Sequence, residues 1–119
     1  MVTQSFAPLP SAIGAARHFA LAATQSWGCD PEDLSLVVSE LATNACVHAH
    51  SPFTVSLNRL GSQVLVEVAD SDPGPVTVRP LSNGPSGRGM HIVAAIAHEW
   101  GVSGRQSGKS IWAILDCRR

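Results

Sequence analysis

The fold of this chain is indicated first by the stretch Glu40-Leu41-Ala42-Thr43-Asn44-Ala45. Its apolar members continue a series begun by Leu34 and Val38 at spacings of three and four residues, which is typical of an amphipathic helix with one buried stripe. The preceding Asp30-Pro31 pair supplies a favourable N-cap and a favourable first helical residue. We therefore predict a helix over about residues 31–49.

The rest of the chain divides into helical and strand-like segments on either side of this helix. Apolar residues at the same spacings predict an earlier helix from Leu9 to Trp27, after a short polar lead at residues 1–8. Alternation with a period of two predicts a β-hairpin whose strands lie within 53–58 and 64–68. Residues 70–89 are predicted to form a long loop. A third helix follows at about 89–98, and two closing strands are predicted at 99–103 and 110–116.

This order of segments predicts the fold class α+β. We expect a two-layer α/β sandwich in which a mixed, mostly antiparallel sheet carries about three helices on one face. The length of 119 residues matches one domain of ordinary size, so residues 1–119 are expected to form a single domain. A 45% share of hydrophobic residues provides enough apolar side chain for a packed core.

The charge balance argues against nucleic acid as a direct partner. Eight Lys and Arg against nine Asp and Glu give a net charge of −1, which provides no electrostatic basis for binding a polyanion. Charged residues make up 14% of the chain, against about 25% in an average globular protein, so part of the surface must be neutral or apolar. A face that contacts another protein explains this, and so does a simple bias toward alanine.

The cysteine pattern and the N-terminus bear on the cellular compartment. Cys29, Cys46 and Cys117 are odd in number, widely spaced and without a CxxC pair, which argues against a disulfide framework or a zinc ribbon. No signal peptide is recognisable, and no apolar run approaches the roughly 20 residues that cross a bilayer. We expect a soluble cytoplasmic protein without membrane association.

Glu40, Asn44 and His48 follow one another at intervals of four and form a polar stripe beside the buried stripe of their helix. A polar line at the margin of a core can form the wall of a cleft. A carboxylate there can act as a general base, and carboxylate and amide oxygens suit Mg²⁺. Such residues are also common on solvated helices, which is the alternative for this stripe taken alone.

Two later segments have features of a nucleotide site. Asp70 follows a predicted strand, where its carboxylate can accept a hydrogen bond from an exocyclic amine such as that of adenine. The glycine-rich segment 83–89 precedes the helix at Met90, so its backbone N–H groups and the helix N-terminus can bind phosphate. The alternatives are an ordinary Asp-Pro-Gly turn and a plain flexible loop.

Two other patterns suggest chemistry that the sequence does not support. The segment from Gly104 to Ser110 resembles a P-loop, but its first glycine is one residue too close and a strand follows where a P-loop needs a helix. Cys46, His48 and His50 suggest a metal site, but residues two apart on a helix point in different directions.

Four motifs in this order resemble those of the GHKL ATPase superfamily, whose members have the Bergerat ATP-binding fold. They are, along the chain, Glu40 to Ala45, Asp70 with Gly74, Gly87-x-Gly89-Met90, and Gly108-Lys109-Ser110. Within the superfamily the chain is most similar to the small bacterial anti-sigma factor serine/threonine kinases of the RsbW and SpoIIAB type. The resemblance extends over roughly residues 10–117.

The resemblance implies a role for each matching residue. Glu40 would be the general base that activates a substrate serine hydroxyl or a water, and Asn44 would bind Mg²⁺. Asp70 would accept a hydrogen bond from the adenine amino group, and Ser110 would lie near adenine. The resemblance also implies a nucleotide contact for Gly74, in the turn after Asp70. It implies phosphate contacts for Gly87, Arg88 and Gly89, and Met90 would begin the helix behind the phosphates. His48 would have only a supporting role in the site.

Two positions depart from the family pattern. Asp72 replaces the first glycine of the turn after Asp70, and Pro85 stands where the better-known kinases carry an arginine. Arg88 is a candidate replacement for that arginine, because its guanidinium can pair with a terminal phosphate.

The resemblance implies ATP and Mg²⁺ as cofactors. It implies a sigma factor, a STAS-type anti-anti-sigma protein or both as partners, and it is compatible with a homodimer. The first hypothesis is a Mg-ATP-dependent serine/threonine kinase that phosphorylates the STAS-type partner. The alternative is a non-catalytic module in which nucleotide sets the shape of a partner-binding face, and a third hypothesis is a degenerate domain that acts only as a scaffold.

Overall fold

The computed structural model describes residues 1–46, 51–71, 89–105 and 108–117. Within these ranges the chain forms three α-helices and five β-strands, which confirms the predicted α+β class. In chain order they are β1 Val2–Phe6, α1 Ser11–Ala23, α2 Pro31–Asn44, β2 Phe53–Leu60, β3 Gln63–Asp70, α3 Gly89–Ile96, β4 Glu99–Arg105 and β5 Gly108–Asp116.

Helix α2 begins where the sequence predicts, and its N-cap explains why. The Asp30 carboxylate accepts hydrogen bonds from the backbone N–H groups of Glu32 and Asp33, at 2.9 and 3.4 Å. The helix ends at Asn44, and the last part of the predicted helix, residues 47–49, lies outside the described residues. The four predicted apolar positions are all buried, at Leu34, Val38, Leu41 and Ala45.

The other two helices are shorter than predicted. Helix α1 ends at Ala23 instead of Trp27. The Trp27 N–H donates to the Thr24 carbonyl three residues earlier at 2.9 Å, which is a turn and not a continued α-helix, and Gly28 follows at a positive φ of 78°. Helix α3 ends at Ile96, since the backbone N–H of His98 already donates to β5. Strand β4 begins at the next residue, Glu99.

The strands form a sheet in the order β1-β2-β3-β5-β4, and each described pairing is antiparallel. The predicted hairpin is confirmed as β2 and β3, with Gly61 in the turn at a positive φ of 60° that favours glycine. The register aligns Val55, Val68 and Ile111 across the three central strands. All three are buried, so this row faces the helices.

The predicted polar lead at residues 1–8 is wrong, because Val2–Phe6 form the edge strand β1. The strand has no alternating apolar pattern: its first four residues are exposed and only Phe6 is buried. Backbone pairing with β2 holds it, and the Phe6 ring stacks on Phe53 with ring centroids 5.6 Å apart.

The helices cover one face of the sheet in a fixed order. Helix α1 lies beside β1 and β2, α2 lies over β3 and β5, and α3 lies beside β4. Helix α2 is central and packs against both other helices. In the part of the chain that the structure describes, no helix combines the length and apolar character that crossing a membrane requires.

Cys29 and Cys117 form a disulfide, so the expectation drawn from the cysteine spacing is wrong. The two residues are 88 positions apart, and only the fold brings the start of α2 beside the end of β5. Cys46 is a free thiol. The cysteines therefore no longer support the argument for a reducing compartment.

Candidate functional site

The disulfide between Cys29 and Cys117 lies at one end of the molecule. Cys29 leads into α2 and Cys117 follows β5, so the start of α2 lies at the end of β5. Ile96, the last residue of α3, lines the same surface cleft as Asp33 and Leu115. The start of α2 and the ends of α3 and β5 therefore share this end of the molecule.

The candidate residues collect at the opposite end. Helix α2 has 14 residues, so its last turn lies about 20 Å from the disulfide end. A hydrogen bond of 3.4 Å from the Ser71 N–H to the Ser51 hydroxyl joins the segment after α2 to the end of β3. This end holds the last two turns of α2, the first turn of α3, the end of β3 and the start of β5, with Glu40, Asn44, Met90, Asp70 and Lys109.

Glu40 and Asn44 lie on consecutive turns of α2 and face the same side. Both residues are half-buried. Burial raises the pKa of Glu40 above its ordinary value of 4.5, because desolvation disfavours the charged form. A raised pKa brings a carboxylate nearer to what a general base needs at neutral pH.

The same two side chains offer oxygen atoms to a divalent cation. Mg²⁺ commonly keeps several waters and binds through one or two protein ligands together with substrate phosphates. Within the described ranges, no group of three or more His, Cys, Asp or Glu residues can hold a metal by itself. Two oxygen donors on one helix face match the number of protein ligands in such a shared site.

Asp70 and Lys109 form an ion pair between β3 and β5. The two residues are register partners, and the Lys109 Nζ lies 3.4 Å from the Asp70 Oδ1. Their side chains are only 4% exposed for Lys109 and 6% for Asp70. Alternation along the strands puts both on the helix-covered face, with Val68 and Ile111.

Lys109 is a candidate site residue that the sequence analysis missed. The sequence pattern that could have identified it is the alternation of β5. Ile111, Ala113 and Leu115 are buried on one face of the strand, and Lys109 precedes them on the same face. Pairing with Asp70 follows only from the register of β3 and β5, which no short motif encodes.

Gly108 allows β5 to begin directly against the end of β3. A Cβ atom at Gly108 would overlap the carbonyl oxygen of Asp70, so a larger residue does not fit without movement of the backbone. This close approach places the next residue, Lys109, opposite Asp70. The strand also confirms that the segment from Gly104 to Ser110 is not a P-loop, which would lead into a helix.

Ser110 is brought beside β3 but not onto the face that carries Asp70. Its register partners are Ala69 and Ser103, so alternation points its side chain to the other face of the sheet. The residue is fully buried, and its Oγ has no hydrogen-bond partner among the described residues. Buried hydroxyls normally have a partner, but a contact with adenine stays a prediction.

The predicted phosphate loop is described only where it ends. Helix α3 begins at Gly89, as the sequence predicts, and Met90 is buried in the core, which fixes the position of the helix start. The other predicted contacts and the departures from the family pattern lie outside the described residues, at His48, Asp72, Gly74, Pro85, Gly87 and Arg88.

The sequence matches the family model of the histidine kinase-like ATPase domain over residues 6–115, and the chain belongs to this family. Membership of a family of ATPase domains implies an ATP site. Asp70 at a strand end, side-chain oxygen atoms on α2 and a helix N-terminus at Gly89 lie at one end of the molecule, which is compatible with such a site. A search of curated protein sequences found no match.

Three solved structures share the fold over 100% of this chain, each at 16% sequence identity. The Acinetobacter baumannii histidine kinase AdeS aligns with a TM-score of 0.61 over 69% of its chain. The RsbU and RsbW domains of Rv1364c from Mycobacterium tuberculosis align with a TM-score of 0.65 over 33% of that chain. The histidine kinase domain of the E. coli osmosensor EnvZ, an NMR structure, aligns with a TM-score of 0.55 over 90% of its chain.

Proposed function

We propose that this chain is an ATP-binding regulatory protein of the anti-sigma factor type, acting as a Mg-ATP-dependent serine/threonine kinase on a STAS-type partner. The observation that carries the proposal is the collection of Glu40, Asn44 and Asp70 at one end of the molecule, opposite the disulfide. Family membership supports the ATP requirement. The RsbW domain among the structural neighbours supports the choice of an anti-sigma type.

Each side chain of the site has a binding role in this proposal. Asp70 accepts a hydrogen bond from the adenine amine, and Asn44 holds Mg²⁺ against the phosphates. The backbone N–H groups of Gly87 and Gly89 donate to phosphate oxygens, where the N-terminus of α3 adds the positive end of its dipole. Arg88 pairs with the terminal phosphate.

Glu40 is the proposed general base. Bound ATP supplies the phosphoryl group. Glu40 accepts the proton of the substrate serine hydroxyl while that oxygen bonds to the terminal phosphorus, and the bond from this phosphorus to the bridging oxygen breaks, so ADP leaves. The burial that raises the pKa of Glu40 makes its carboxylate a better proton acceptor than a solvated one.

Transfer of radiolabelled phosphate to purified STAS-type proteins tests this proposal. Glu40→Gln is expected to lower the transfer rate by roughly 10²- to 10⁴-fold, the usual contribution of a general base. Glu67→Gln is the matched control, because it removes the same charge from the other face of β3, opposite Trp112. Absence of transfer by the wild type to every partner tried, or a wild-type rate in Glu40→Gln, would contradict kinase activity.

A second candidate function is a nucleotide-dependent binding module without catalysis. Asp72 and Pro85 favour it, because both depart from the kinase pattern in segments expected near the nucleotide. The two functions separate in one experiment: a module binds its partner more tightly with ATP and transfers no phosphate, whereas a kinase consumes the ATP.

A further inference from the structure

Lys109 has no role in the proposed kinase chemistry, yet its setting is unusual. It is the only lysine in the chain, and its side chain is 4% exposed. It belongs to the helix-facing row of β5 whose other described members, Ile111, Ala113 and Leu115, are apolar and buried. A charged residue therefore occupies a position where packing alone would favour an apolar one.

A buried ion pair such as Lys109 with Asp70 adds little to the stability of a core. Taking an ammonium and a carboxylate out of water is unfavourable, and their attraction offsets this only in part. Apolar residues of similar volume commonly give equal or higher stability than such a pair. The pair also lies at the end of the sheet that collects Glu40 and Asn44, which points to a ligand contact as its purpose.

We propose that Lys109 and Asp70 together recognise the base of the bound nucleotide, an inference that rests on the ATP site proposed above. A carboxylate only accepts hydrogen bonds and an ammonium only donates them. A 6-aminopurine presents an amine donor directly beside a ring-nitrogen acceptor, which is the complementary arrangement. Asp70 accepts from the amine while Lys109 donates to the adjacent ring nitrogen.

The proposed hydrogen bond from Lys109 to a ring nitrogen can be removed by changing the ligand instead of the protein. The amine of adenine has N1 on one side and N7 on the other. Replacing either ring nitrogen by a C–H group removes one acceptor and leaves the amine in place for Asp70. A residue that only supports the fold is insensitive to that replacement.

Binding of Mg-ATP, Mg-1-deaza-ATP and Mg-7-deaza-ATP, measured by calorimetry, tests the inference with wild-type protein. A hydrogen bond to a charged group corresponds to an affinity change on the order of 10-fold or more. One of the two analogues is expected to bind at least that much more weakly than ATP. Equal affinity of ATP and both analogues would overturn the role of Lys109.

A Lys109→Met variant assigns the effect to this side chain. Methionine keeps an unbranched stem and removes the ammonium, so the difference between ATP and the sensitive analogue should fall to about 2-fold or less. A difference that persists in Lys109→Met would assign the contact to another group and overturn the inference. Where Lys109→Met fails to fold, Lys109→Met combined with Asp70→Leu removes both charges without adding a hydrogen-bond donor, and the same comparison applies.

The result separates this inference from the proposed function. Tight binding of ATP and of both analogues would support the ATP site and would rule out base recognition by Lys109. Absence of ATP binding by folded wild-type protein would rule out both the ATP site and base recognition by Lys109. Analogue discrimination without phosphate transfer keeps the base contact and removes only the kinase activity.

Discussion

Cys29 and Cys117 join the start of α2 to the end of β5. The helix runs away from this point and the strand runs toward it, so Asn44 and Lys109 both lie at the far end of the molecule. The disulfide thereby joins the start of the helix that carries Glu40 to the end of the strand that pairs with the strand of Asp70.

Reduction of the disulfide should lower the free energy of unfolding. The bond closes a loop of 88 residues, for which the chain-entropy estimate is up to about 4–5 kcal/mol. Urea denaturation with and without a reductant measures the change. Cys46→Ser, which leaves the bond intact, should respond to the reductant as the wild type does, whereas Cys29→Ser with Cys117→Ser should not respond; an unchanged wild-type midpoint would contradict the account.

A methyl group at Gly108 should disturb both the fold and the candidate site. Gly108→Ala directs a Cβ into the carbonyl oxygen of Asp70, and we expect a loss of roughly 1–3 kcal/mol in unfolding free energy together with weaker ATP binding. Gly104→Ala is the matched control, because no described atom lies within 4 Å of a Cβ there. Equal stability of the two variants would be inconsistent with the close approach of β3 and β5.

Glu40→Gln should stabilise the protein at neutral pH. Burial raises the pKa of Glu40 above 4.5, so the folded state binds its proton more tightly than the unfolded state does. The charged form therefore destabilises the fold above the raised pKa, and the advantage of the glutamine should shrink as the pH falls through that pKa and disappear below 4.5. Denaturation of both proteins across this range measures it; a constant difference at all pH values would be the contrary result.

Asp70→Asn should weaken ATP binding by about 1–3 kcal/mol, because the charge-assisted bond to the adenine amine is lost. Asp116→Asn is the control, since that side chain is 70% exposed and lies at the disulfide end. Calorimetric titration of each variant with Mg-ATP makes the comparison. An affinity unchanged by Asp70→Asn would remove Asp70 from the site.

The parts of the fold that follow local rules could be predicted from the sequence. Helix α2 has its N-cap at Asp30 and its buried stripe where spacing predicts them, and the hairpin follows from period-two alternation with a turn at Gly61. Strand β1 could not be predicted, because an exposed edge strand is held by backbone bonds to β2 and leaves no apolar pattern in Val2–Phe6.

The same division applies to the candidate site. Glu40 and Asn44 could be paired from their spacing alone, because a helix turn is a local property. The partnership of Asp70 with Lys109 and the disulfide of Cys29 with Cys117 join distant parts of the chain, and tertiary register decides both. Alternation in β5 indicates that Lys109 is buried, but it does not identify the residue across from it.

Calorimetric titration of the wild-type protein with ATP, in the presence and absence of Mg²⁺, decides whether the chain has the ATP site proposed above. We expect saturable binding of ATP that Mg²⁺ strengthens, with the Mg²⁺ effect reduced in Asn44→Ala. Folded wild-type protein that takes up no ATP in the presence of Mg²⁺ would contradict it.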